Sequence, residues 1–87
     1  MQLRKESPLY PVNPEKKHVG AIQALSRGEA SSHQQQLALD WIVKELCKTH
    51  DLAFHPDQRE TDFALGKQFI GKQIIKMTLI NIGEYFK

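Results

Sequence analysis

Three side chains able to hold a metal or carry a nucleophile stand within nine residues: Cys47, His50 and His55 in "CKTHDLAFH". A structural zinc site takes four ligands in paired short spacings. The other two histidines, His18 and His33, fall in or before other helices, so the set is incomplete and no metal is expected. Cys47 and His50, three apart on one helix, allow proximity without an oxyanion hole. Cys47 reads better as a small buried thiol at the core margin. The five glycines are scattered and never take the spacing of a phosphate cradle. Glu60 and Asp62, at a helix start, read as partners of the helix dipole. The expectation is a protein without enzymatic activity and without a cofactor.

The chain around these residues is small. Eighty-seven residues make one domain, and a chain of that size buries only about 60% of the surface its unfolded form exposes. A single cysteine rules out an internal disulfide; a metal clip or association with other subunits are the remaining supports. Twelve Lys and Arg against ten Asp and Glu give a formal charge of +2, far from a dense basic stripe. No apolar run approaches the ~20 residues that span a bilayer. "MQLRKESPLY" lacks the apolar core of a signal peptide, so a soluble protein of a reducing, intracellular compartment is expected, with no membrane partner.

The spacing predicts an all-α fold: a compact three-helix domain over 14–83, an extended N-terminal arm over 1–13 and a tail over 84–87. Pro8 and Pro11 keep the arm from becoming a helix, and it is either extended or a disordered terminus. Asn13 as cap and Pro14 at the first position open a helix over about 14–27. Val19, Ile22 and Leu25 form its apolar stripe, and Gly28 takes a left-handed conformation beyond its end. Ser31 or Ser32, with Gln34 or Gln35, caps a second helix over about 32–49. Leu39, Ile42, Val43 and Leu46 share its core face. Pro56 and Asp57 turn the following loop, under which Leu52 and Phe54 tuck. Thr61 or Asp62 caps a third helix over about 61–81, on which Phe63, Ile70, Ile74 and Met77 line up, flanked by Phe69 and Ile80. Gly66 interrupts that row. A helical glycine costs about 1 kcal/mol relative to alanine, so close approach of the second helix is expected there. Gly71, off the row, has no such explanation.

Two helices carry apolar residues beyond their core stripes. Leu37 and Trp41 lie among Asp40, Lys44 and Lys48, and Leu65, Ile75 and Leu79 are interleaved with Lys72 and Lys76. Contiguous patches of this kind mark contact sites. They are covered either by the arm, loop and tail of the same chain or by other protein subunits. The second option makes Leu37, Trp41, Leu65, Ile75 and Leu79 interface residues, with Tyr10 on the arm reaching a neighbour.

A nucleic-acid reading competes with this one. The first two helices and the turn "RGEAS" have the lengths of a helix-turn-helix. His33 and Gln34 would stand at the start of the recognition helix, where glutamine can pair with an adenine edge. Arg27, Lys67, Lys72 and Lys76 would meet phosphates. Against it, that helix start holds no cation, and phosphate contacts carry most of the affinity of such proteins. The same Ser and Gln residues are explained as a cap.

The stretch from Leu46 to Met77 resembles a family of small tailed-phage proteins encoded among the head and portal genes of podovirus-like phages and prophages. The resemblance rests on Cys47, Phe54, Pro56, Asp57, Thr61, Phe63, Ala64, Gly66, Lys67 and Gly71, and "ALSRGEASSHQQQLALDWI" resembles longer members. Lys67 stands where arginine is commoner, which weakens any bidentate contact made there. The resemblance implies a non-enzymatic role in virion assembly or genome packaging, in the host bacterial cytoplasm or the virion. It implies phage head or portal components, or further copies of the chain, as partners. The alternatives are a packaging-related or regulatory DNA-binding domain and a phage-encoded inhibitor of a host protein.

Overall fold

The computed structural model describes residues 6–87, so the first five residues of the expected arm lie outside the described residues. The fold is all-α as expected, and no strand occurs among the described residues. Four helices form: α1 (Lys16–Ser26), α2 (Ser32–Trp41), α3 (Gln58–Leu79) and a single turn, α4 (Ile82–Tyr85).

Capping chemistry sets most of the boundaries. α1 starts two residues later than Asn13 and Pro14 suggest, because Glu15 and His18 form a reciprocal box. His18 Nδ1 accepts the Glu15 N–H at 3.3 Å. Gly28 takes the expected left-handed φ of 70°. At α2 the box is Ser31 with Gln34: Ser31 Oγ accepts the Gln34 N–H at 3.1 Å, and Gln34 Oε1 accepts the Ser31 N–H at 3.0 Å. α3 begins earlier than expected because Asp57, not Thr61 or Asp62, caps it, accepting the Arg59 N–H at 2.8 Å. Thr61 ties down the loop instead, accepting from the His55 N–H at 2.9 Å and donating to the His55 carbonyl at 3.0 Å. The third helix stops at Leu79 because Ile80 turns extended, and Asn81 then caps α4 through the Glu84 N–H.

The second helix does not run to residue 49. Beyond Trp41 the chain widens into a π-helical segment, Ile42–Leu46, closed by the Cys47 N–H donating to the Ile42 carbonyl at 2.9 Å. Lys48 then adopts a left-handed φ of 50°. This reverses the chain so that both the N–H and the hydroxyl of Thr49 donate to the Val43 carbonyl, at 3.2 and 2.7 Å. Thr49 is thereby buried and fixed beneath the end of the segment.

The packing runs through small residues. α1 packs on α2 and α3 packs on the π-helical segment, whereas α1 and α3 do not meet. The buried apolar residues are Ala21, Ala24, Ala38, Val43, Cys47 and Ala64, and no large side chain is fully enclosed. On α3 the inward face is Ala64, Gln68 and Gly71. The expected core stripes are therefore corrected: Val19 and Leu25 on α1, Leu39 and Leu46 on the second helix, and Phe63, Phe69, Ile70 and Met77 on α3 are exposed. Leu52 and Phe54 likewise point outward instead of tucking under their loop. Helices that approach through alanine and glycine leave no room between them for large side chains, so those turn outward.

The glycines are corrected in the same sense. Nothing lies within 4 Å of a Cβ placed at Gly66. It is Gly71 that is closely approached, because a Cβ there would overlap the Thr49 hydroxyl and crowd Cys47 Cβ at 3.0 Å. Gln68, beside it, donates from Nε2 to the carbonyls of Lys48 and Asp51, which pins the left-handed turn to α3.

The outcome is a flat, open arrangement of helices measuring 44 × 37 × 16 Å. A folded monomer of 10.0 kDa exposes about 5,200 Å² on the usual size scaling. This chain exposes 6938 Å², roughly a third more than that scaling gives.

Candidate protein-binding surface

α3 builds the surface because its inward face is narrow. At 100° per residue, Phe63, Gly66, Ile70, Ile74 and Met77 lie about 80–160° to one side of Ala64, and Leu79, Leu65 and Phe69 about 60–140° to the other. With Ala64, Gln68 and Gly71 buried between them, the two strips fall on opposite sides of α3. Ile70 is 54% and Met77 66% exposed on the first strip; Leu65 is 51% and Leu79 77% exposed on the second. Beyond α3 the apolar surface continues through Ile82, Tyr85 and Phe86, all exposed, with Tyr85 and Phe86 packed edge to face at 4.9 Å.

The residues expected at an interface divide into two groups. Leu65 and Leu79 stand free on α3, and Tyr10 is exposed on a turn closed by its own N–H donating to Ser7. Trp41 and Leu37 are half-buried. The Trp41 indole stacks on the His18 imidazole at 5.3 Å and 19°, which joins α2 to α1. Ile75 is also half-buried and turned toward α2, lining an apolar groove of about 300 Å³ with Leu39, Val43 and Ile74. Over the described part of the arm, Ser7 and Pro8 are buried against their own chain. The Lys67 ammonium holds them by donating to the Pro8 carbonyl at 3.0 Å.

The cations and polar groups expected to meet nucleic acid are mostly engaged. Arg27 Nε donates to Glu29 at 3.1 Å. Gln34 is committed to its capping box, while His33 is exposed beside it. Lys67 lies 5.6 Å over the Phe63 ring. Burial and the neighbouring Lys48 ammonium hold it below its ordinary pKa, outweighing the opposite pull of Cys47 and Asp51. Lys76 lies 5.7 Å over the Tyr85 ring, and Lys72 is exposed. Among the described residues no group of three or more His, Cys, Asp or Glu side chains could hold a metal ion. Cys47 is free and buried. No described helix is long and apolar enough to cross a membrane.

The exposure of the first strip runs against its size, since large apolar residues at helical spacing ordinarily mark a buried face. The usable signal was the small-residue register: Ala64, Gln68 and Gly71 recur at four and three on α3, as Ala21 and Ala24 recur on α1. Such residues mark where helix backbones come together, and the large apolar residues outside that register mark the opposite sides.

No protein family model matches the chain, and neither a curated protein nor a solved structure is found to match it.

Proposed function

We propose that the chain is a non-enzymatic structural or assembly subunit that binds other protein subunits, in virion morphogenesis as its phage-family resemblance implies. The observation that carries this reading is the outward display of large apolar side chains along α3 and its end, with Leu79 at 77% exposure the extreme case. Fully burying a leucine or phenylalanine is worth about 1.5–3 kcal/mol, and the isolated chain leaves most of that unrealised. Scattered apolar residues are ordinary, but contiguous strips on both sides of a helix are the signature of a contact surface. The engagement of Arg27, Gln34 and Lys67 within the chain favours protein over nucleic acid as the partner.

A photo-reactive residue at Leu79, introduced during co-expression with phage head and portal subunits, tests the reading. Adducts with those subunits are the expected result. Absence of any protein adduct, together with duplex-DNA binding that weakens steeply with salt, overturns it.

A further inference from the structure

The apolar strip through Ile70 has a symmetry of its own. Phe63, Gly66, Ile70, Ile74 and Met77 are spaced three, four, four and three, which reads the same in both directions about Ile70. We infer that a second copy of this chain stacks on the first through this strip, the two α3 helices running antiparallel across a two-fold axis at Ile70. The inference rests on the protein-binding reading and names one of its occupants. A two-fold interface sets one patch against itself, so each residue must be complementary to its mirror position. Reversal about Ile70 sets Phe63 against Met77, a favourable ring–thioether pairing. It also sets Gly66 against Ile74, an open notch against a branched side chain. Gly66 is free to receive it, with nothing within 4 Å of its Cβ position.

Two further observations favour a second copy. The molecule is flat, 44 × 37 Å across and 16 Å in its shortest direction. Stacking two copies through the strip covers exposed apolar side chains of both. The area agrees: the exposed surface exceeds that of a compact monomer by on the order of 1,500 Å², enough for a standard face of roughly 800 Å² per partner with more left over. The groove lined by Leu39, Val43 and Ile74 adjoins the strip and widens the face beyond α3 alone. Leu65, Phe69 and Leu79 lie on the opposite side of α3 and stay available to other subunits.

The test uses the full chain. Light scattering of the wild type is expected to give twice the chain mass of 10.0 kDa. In a Cys47→Ser background, Ile70→Cys is expected to form an intermolecular disulfide readily, because the two thiols meet at the axis, while Leu65→Cys is not. Gly66→Leu is expected to weaken the dimer by at least about tenfold while keeping its helical circular dichroism, and adding Ile74→Ala to recover most of that loss. A wild-type monomer at the highest soluble concentration, or Ile70→Cys cross-linking no faster than Leu65→Cys, overturns the inference. A monomer that still gives adducts with head or portal subunits at Leu79 removes this inference and leaves the proposed function standing. A dimer without such adducts does the reverse.

Discussion

The two glycines of α3 lie five residues apart in the same helix and do opposite work. Gly71 faces inward, where Thr49 and Cys47 occupy the space a side chain would need. Gly66 faces outward onto open space, in a row of large apolar residues. Around Gly71 the helix is small and polar, with Ala64 and Gln68; around Gly66 it is large and apolar, with Phe63 and Ile70. The usual arrangement of an amphipathic helix is inverted. The inward face is specified by close approach and hydrogen bonding, and the outward face holds the exposed hydrophobic area.

Substitutions break this comparison in order of size. Gly71→Ala is expected to destabilise the isolated chain by about 2–3 kcal/mol, since the fixed Thr49 and the left-handed turn behind it leave the new methyl nowhere to go. Gln68→Leu comes next, at about 1–2 kcal/mol, because it removes the donor of the Asp51 carbonyl and leaves the Lys48 carbonyl only the Asp51 N–H. Urea unfolding monitored by circular dichroism measures both. Gly66→Ala is expected to act in the other direction, stabilising the dissociated chain by up to about 1 kcal/mol through helix propensity alone. Equal effects of alanine at the two glycines would abolish the distinction between the faces.

The smallest effect is a pH dependence from Lys67, on the border between the two faces. Its folded-state pKa lies below the ordinary value of 10.5, first because of burial and then because of Lys48. Above the folded pKa and up to 10.5 the unfolded chain binds the extra proton, so the contribution of Lys67 to stability rises with pH in that window. Below the folded pKa it is flat. The difference in unfolding midpoint between wild type and Lys67→Met, followed from neutral to alkaline pH, should therefore shift in favour of the wild type. A difference that shrinks as pH rises would show Lys67 to be held by its attractive neighbours instead.

Local signals were legible in the sequence wherever one side chain acts on its own backbone. The Ser31–Gln34 box, the left-handed Gly28 and the all-α class are of this kind, because each needs only neighbours within a few residues. The helices start at Lys16 and Gln58, two residues later and three earlier than expected, since Asn13, Pro14, Thr61 and Asp62 offer equally good local chemistry. The π-helical segment was not legible: "IVKEL" has no residue that excludes an α-helix, and the widening is bound up with the left-handed Lys48 and with Thr49 against Gly71, a contact across more than twenty positions. The inward and outward faces were exchanged for a related reason. Periodicity assigns large apolar residues to an interior, and it takes no account of whether one chain provides an interior to receive them. Of the strip Leu65, Ile75 and Leu79, the two leucines are exposed and Ile75 is half-buried; Phe63, Ile70 and Met77 are exposed as well.

The flatness of the molecule also bears on its resistance to proteases. With only 16 Å from face to face, no backbone amide lies far from water, and local opening should expose cleavable peptide bonds readily. Limited proteolysis of the isolated chain is therefore expected to be rapid, and to slow in any state in which α3 is covered.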